Sequence, residues 1–407
     1  MKGLTKEEII LKAIKVWNET SFQNISLSPV AKALGISKPA LYKHFHDKDE
    51  LLTDIYDYFV SEQAKFWRDF FNKQKGFSGN ILRLLVRFLA SFFLEKQECV
   101  IFRKYMLINM KLTNQIEKMQ IKSVLNKREL DELILKFENN GYFIENENCF
   151  FTYLFTVLEV WVALQCDLFK AFSFDTTKYP AQTLLDTCVD EVTTIMENGF
   201  FTKTENGNID FSDIETKIEN NVINKAFPND VVFNAIADIT MEEGFWNVSV
   251  NKIATKLGIA KSSLYNYFEN KKEMINDSFF KMQNGLKEYL EENIFSQTNK
   301  YAVWYSMLYF SYWAMGREIR NIIFMNSFFN KINENNPVFK MIAESYKEKV
   351  PQTHKLFGGV FSFPFLVNQV LIVRYVFFTL IKGDIPESKV IRNLYKLSVY
   401  GIKKGER

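Results

Sequence analysis

Apolar residues recur at intervals of three and four along almost the whole chain, and strict strand-type alternation is nearly absent. The pattern predicts an all-α protein. Start signals support it. Thr5-x-x-Glu8 forms a capping box before the first helix, and Asp47-x-x-Glu50 and Asn270-x-x-Glu273 stand at the start of two later ones. Two apolar runs, residues 150–169 and 363–381, approach the length that crosses a bilayer. Glu159 and Gln165 interrupt the first run, and Asn368, Gln369 and Arg374 the second. A charge at mid-bilayer is costly. Both runs are therefore expected as buried interface helices, with no membrane as partner.

The helical pattern repeats. The segment GISKPALYKHFHDKDELL, residues 35–52, aligns without a gap on GIAKSSLYNYFENKKEMI, residues 258–275, at an offset of 223. The identities extend outward through Phe22/Phe245, Asn24/Asn247, Ser26/Ser249 and Ala31/Ala254. A period this long excludes a solenoid and reads as duplication of a unit of about 200 residues. Five stretches follow: residues 1–54 as a first head, 55–200 as a first helical domain, 201–228 as a linker, 229–277 as a second head, and 278–407 as a second helical domain. The linker holds a turn-rich stretch and then an extra helix. Ser212 and Glu215 form its expected capping box, and Ile214, Ile218, Val222 and Phe227 its apolar face.

Each head reads locally as a helix–turn–helix. Ser26 or Ser28 caps a short helix, with Pro29 allowed in its first turn. Small Ala31 lets another helix cross closely. Gly35 supplies the positive φ of a tight turn. Ile36 is expected to plug the core, and Ser37 to cap a second helix running from Lys38 to Phe45. Leu41 and Phe45, four apart, face inward, so Lys38, Pro39, Tyr42, Lys43 and His44 face solvent. An ordinary helical hairpin with a solvated face would have little reason to repeat the same outward residues.

The pattern Ser-x-x-x-x-Ala-x-x-Leu-Gly-Ile-Ser-Lys-x-x-Leu-Tyr-x-x-Phe-x-x-Lys-x-Glu-Leu resembles the tetracycline-repressor (TetR) family over about 50 residues in each half. Beyond those residues the halves resemble it only in length, helicity and helix order. The resemblance implies three DNA-binding helices in each head and a larger helical domain that binds a small ligand and dimerises. Carried over, it implies phosphate contacts from Ser26, Ser28, Ser37, Lys38 and Lys48. Pro39 and Ala40 would approach base edges, and Tyr42, Lys43 and His44 bases or backbone. The second set is Ser249, Asn251, Lys261, Ser262, Ser263, Tyr265, Asn266, Tyr267 and Lys271. Ala260 replaces Ser37 there, so the second reading helix lacks a cap, and residues 229–277 hold five Lys against seven acids. Non-specific grip comes mostly from phosphate neutralisation. Weak grip, or loss of DNA binding by the second head, is the alternative this leaves open.

The closing helices differ in charge. Residues 180–198 carry Asp186, Asp190, Glu191 and Glu197 and no base. Residues 386–404 carry Lys389, Arg392, Lys396, Lys403 and Lys404 against Glu387. In the family the corresponding helices build the dimer. Opposite charges favour pairing within one chain over self-pairing. An intramolecular pseudo-dimer is expected, built from 150–198 and 363–404, with Glu159 and Arg374 a candidate pair. Its unequal heads imply an asymmetric double-stranded operator. A sensor or interaction protein with one degenerate head is the competing reading.

Between heads and closing helices lie aromatic, Met-rich helices. They are plain core or the walls of a pocket for a small apolar or aromatic ligand. Candidate lining residues are Trp67, Phe70, Arg103 and Tyr105 in the first half, and Trp304, Tyr305, Tyr309, Trp313 and Arg317 in the second.

Composition adds exclusions. With 47% apolar and 24% charged residues the chain is globular in type. Cys99, Cys149, Cys166 and Cys188 form no CxxC pair, and His44, His46 and His354 no ligand set. There is no Walker loop, no GxGxxG and no nucleophile constellation, so neither a cofactor nor catalysis is expected. The N-terminus carries no apolar signal core, and the expected location is cytoplasmic. The whole reads as a ligand-responsive transcriptional regulator, a repressor by resemblance.

Overall fold

A computed structural model describes residues 4–18, 26–107, 126–166, 183–201, 209–221, 230–317 and 388–404, together with 367, 370 and 371. The described residues form helices and connecting turns, without a strand. The chain divides into two compact units, residues 1–144 with 154–194, and residues 145–153 with 195–407.

The first unit opens with α1 Lys6–Asn18, α2 Leu27–Leu34, α3 Lys38–Leu41 and α4 Lys48–Gln74, followed by α5 Ile81–Glu95, α6 Gln97–Leu107 and α7 Lys127–Asn139. It also holds the greater part of α8 Glu147–Gln165 and of α9 Leu184–Asn198. The Thr5/Glu8 box forms as expected: each backbone N–H donates to the other's side chain. Asp47 accepts from the Glu50 backbone at 2.8 Å, but the Glu50 carboxylate turns to the N–H of His46. Asn270 and Glu273 repeat this, with Glu269 in the place of His46.

Helix α4 buries Leu51, Leu52, Ile55 and Phe59 near its start, then Trp67, Phe70 and Phe71 further on. It runs unbroken across position 54, so head and helical body share one rod of about 40 Å at 1.5 Å per residue. Around its second half the rings close edge to face. Trp67 meets Phe70 at 5.7 Å and Phe155 at 6.1 Å, and Phe70 meets Phe88 at 5.4 Å. Such pairs add to a burial term of about 1.5–3 kcal/mol per large side chain. Helix α8 has the length and mean hydropathy (1.3) of a membrane span, but 83% of that stretch is buried inside the fold. The helix is buried, as expected; most of the second apolar run, Arg374 included, lies outside the described residues.

The acids of α9 correct one expectation. Asp186 pairs with Arg87 and Asp190 with Arg83, both at 2.5 Å, and Glu191 accepts from the Trp161 indole at 2.7 Å. Asp186 and Asp190 answer a basic stripe on α5 of their own unit. The spacing Arg83/Arg87 matches Asp186/Asp190 turn for turn, which a count of charges per helix does not reveal.

The second unit contains α10 Phe211–Asn221, α11 Val231–Glu243, a 3-10 turn Phe245–Asn247, α12 Val250–Leu257, α13 Lys261–Tyr265, α14 Lys271–Leu290, a π-helical turn Glu291–Phe295, α15 Lys300–Arg317 and α16 Ser388–Tyr400. Position 277, drawn as a boundary, falls inside α14. The linker helix α10 forms, with Ile214 and Ile218 buried; Val222 and Phe227 lie outside the described residues. Its cap is Asp210, which accepts from the Asp213 backbone at 3.0 Å, and not the expected Ser212/Glu215 box. Glu215 is used elsewhere. It accepts Arg392 Nε at 2.8 Å and Nη2 at 2.6 Å, together with the Tyr305 hydroxyl. One turn on, Glu219 accepts the Tyr309 hydroxyl at 2.5 Å. Phe211 packs on Tyr305 and Tyr395 at 4.6 and 5.3 Å, under the Arg392 guanidinium.

The end of α9 belongs to this second unit and meets the end of α16. Phe200 N–H donates to Ser398 O at 2.7 Å, and Ile402 N–H donates to Met196 O at 3.0 Å. Donors and acceptors are each 202 residues apart, so the contact is reciprocal. Gly199 and Gly401, again 202 apart, have φ of +79° and +67°. A Cβ on Gly199 would strike the Val399 carbonyl, and one on Gly401 the Glu197 carbonyl. Glycine is required twice over, by dihedral and by approach. Lys403 pairs with Glu197 at 3.0 Å, so opposite charges do meet at these two helix ends. Lys396 pairs instead with Glu145, and Arg392 with Glu215.

Candidate nucleic-acid interface

The two heads build the same turn. In the first, the N–H groups of Gly35 and Ile36 close on the carbonyls of Lys32 and Ala31, both at 3.1 Å, with Gly35 at φ +68°. In the second, Gly258 and Ile259 close on Thr255 and Ala254 at 3.2 and 3.1 Å, with Gly258 at φ +67°. This left-handed C-terminal closure redirects the chain at once into the reading helix. Leu41 and Phe45 are buried, as is Leu264, while Phe268 is half-buried. The opposite side faces outward: Tyr42 is 47% exposed and its counterpart Tyr265 46%.

The reading helix is shorter than expected. It ends at Leu41, not Phe45, because Lys43 and His44 bond back three residues, to Ala40 and Leu41. That tighter winding ends the α-helix and still delivers Phe45 to the core. Ser37 caps as expected, accepting from Ala40 at 3.3 Å. Ala260 makes no side-chain cap. Ser26 occupies the N-cap position of α2 without a side-chain bond; its carbonyl accepts the Trp17 indole at 3.0 Å instead. Ser249 does cap, accepting from Lys252 at 3.3 Å. Ile36 is only half-buried and Ile259 is exposed, so neither plugs the core.

In the first head Ser26, Ser28, Ser37, Lys38, Pro39, Tyr42, Lys43 and Lys48 are exposed, with Ala40 and His44 half-buried. In the second, Asn251, Lys261, Ser262, Tyr265, Asn266 and Tyr267 are exposed, with Ser249, Ser263 and Lys271 half-buried. Each set is accessible to a groove or phosphate backbone. Burial pushes the Lys271 ammonium below the ordinary lysine value. Lys252 is held by Glu243, and Lys256 by Glu242 at 2.7 Å.

The ligand candidates fall elsewhere. Trp67 and Phe70 are buried in the aromatic cluster of the first unit. Trp304, Tyr305, Tyr309 and Trp313 are buried in the second, where Trp304 donates to Ser398 at 2.8 Å and the two tyrosines to Glu215 and Glu219. The side chains of Arg103, Tyr105 and Arg317 lie outside the described residues. Sequence reading missed the Glu215–Arg392 pair, whose partners are 177 residues apart. Among the described residues no group of three His, Cys, Asp or Glu could hold a metal. Burial pushes the thiols of Cys166 and Cys188 upward, away from nucleophilic thiolate.

A short helix, a glycine-closed turn and a second short helix with an outward polar face, held by a three-helix core, define a helix–turn–helix protein. The description "Bacterial regulatory proteins, tetR family" matches residues 9–55 and again 233–277. The head that this family carries is thus matched twice in the chain, once in each half. It is also 28% identical over 88 residues to the HTH-type transcriptional regulator AcrR of Shigella flexneri, an alignment that takes in 21% of this chain. The chain spans 41% of the length of that curated relative.

Proposed function

We propose that this protein is a cytoplasmic, ligand-responsive transcriptional regulator, a repressor, whose single chain presents both heads to one asymmetric operator. The reciprocal junction carries the reading. In a symmetric dimer, residue i of one copy meets j of the other and j meets i. Phe200 with Ser398 and Met196 with Ile402 reproduce that relation inside one chain. The paired glycines make the approach close at both places. Two heads then serve two half-sites about one helical turn apart. Tyr42-Lys43-His44 against Tyr265-Asn266-Tyr267 makes the half-sites unequal. In this reading Lys38, Lys48, Lys261 and Lys271 meet phosphate, with the serines at the helix starts, and Lys43 and Asn266 meet guanine and adenine edges.

Release of DNA follows if a small apolar ligand binds better to the conformation whose heads no longer match adjacent grooves. The continuous helices α4 and α14, each rooted in a head and in an aromatic body, support such coupling. The test is selection of sites from a random DNA pool, with the mass of the complex measured. An asymmetric site held by one chain is expected. A symmetric site held by two chains would refute the single-chain reading.

A further inference from the structure

The heads share a backbone and differ in charge. On the first, Lys32, Lys38, Lys43 and Lys48 are exposed and, among the described residues, have no carboxylate partner. At the positions of Lys32, Lys43 and His44 the second head carries Thr255, Asn266 and Tyr267. Of its own additional lysines Lys272 is exposed, but two are neutralised: Lys252 lies against Glu243, and Lys256 against Glu242, with Asp238 at 3.9 Å. At the partner positions the first head has Pro29 and Ala33 on α2, and Thr20, Glu19 and Lys15 before it, so it has no counterpart of these pairs. Lys271 is half-buried where Lys48 is exposed, and burial weakens its hold on a proton. The second head also presents an uncharged group openly: Tyr267 is 79% exposed, beside the exposed Asn266 and Tyr265.

We propose that the two heads divide the work of recognition: the first supplies most of the phosphate neutralisation, and the second discriminates sequence through the uncharged Asn266, Tyr265 and Tyr267. The inference rests on the regulator reading above and adds a physical asymmetry to it. Phosphate contacts set affinity and its salt dependence, at about 0.9 in the logarithmic slope per contact. Contacts to base edges set specificity with little salt dependence. A carboxylate already spends the charge of Lys252 and Lys256, so they release few counterions on binding.

The test uses the full chain on its selected operator, with affinity measured by fluorescence anisotropy across salt concentrations. Two variants remove the same formal charge. Lys38→Gln/Lys48→Gln should flatten the slope by about 1.8, two contacts' worth. Lys252→Gln/Lys256→Gln should leave the slope within about a third of one contact. Asn266→Ala should weaken binding to the chosen site by roughly fivefold or more, lose preference at one base position and keep the slope. Equal flattening by the two lysine pairs, or a slope change with Asn266→Ala and no change in base preference, would overturn the proposal. If the wild-type chain retains no DNA from the pool, the regulator reading itself fails and takes this inference with it. Circular dichroism melting of each variant separates lost contacts from lost folding.

Discussion

Replacing Glu215 with glutamine should undock the linker helix α10 in part. The carboxylate is buried, its side chain 11% exposed, and takes three donors: Arg392 Nε, Arg392 Nη2 and the Tyr305 hydroxyl. Glutamine keeps one oxygen acceptor and loses the charge. A hydrogen bond to a charged group contributes about 1.5–3 kcal/mol, and a neutral one about 0.5–1.5. Arg392, 35% exposed, recovers some water when its partner is neutral, so the bidentate pair must be discounted. A loss of about 2 kcal/mol results. Glu215→Ala goes further, leaving the fully buried Tyr305 hydroxyl without this acceptor, and should reach about 3 kcal/mol, the low end for breaking a buried pair. For a unit of roughly 200 residues, 2 kcal/mol corresponds to a melting shift of about 4–8 °C. Differential scanning calorimetry of the full chain reads it as a shift of the second unit's transition. If both variants melt within about 1 °C of wild type, α10 is not a docked part of that unit and the reasoning is wrong.

Three further outcomes follow from the same geometry. Gly401→Ala should cost more than Gly258→Ala in urea titrations: both sit at φ +67°, a strain of about 1–2 kcal/mol, but only Gly401 would also strike a carbonyl. Ala260→Ser should stabilise the second head by roughly 1 kcal/mol by restoring the cap that Ser37 provides in the first, and Ser37→Ala should cost about as much; thermal melts compare them. Alkaline pH should destabilise the second unit. Burial pushes Tyr289 and Tyr312 up to about 12, and raises Tyr305, Tyr309 and Tyr395 further, with the Glu215 and Glu219 carboxylates adding to the shift at Tyr305 and Tyr309. A phenol whose folded value lies above its unfolded one of about 10 keeps its full contribution below pH 10 and loses it as pH rises toward the folded value. Denaturant midpoints should therefore fall from about pH 10 upward, with phenolate absorbance appearing as the protein unfolds.

Most of the heads was legible in the chain. Three- and four-residue periodicity, Gly35 and Gly258, and the repeated caps are local signals, because a turn or an N-cap is decided by residues three or four apart. The duplication was legible for the same reason, as identity at one offset. Tertiary structure decided what each charge does. Asp186 and Asp190 sit on an acidic helix but answer Arg83 and Arg87, and Glu215, placed for a cap, instead binds Arg392. Periodicity says which face a side chain leaves from; only packing says which helix lies opposite. The reciprocal junction is a plainer case. Gly199 and Gly401 read as ordinary helix ends, since the backbone that forbids a Cβ there belongs to a segment two hundred residues away.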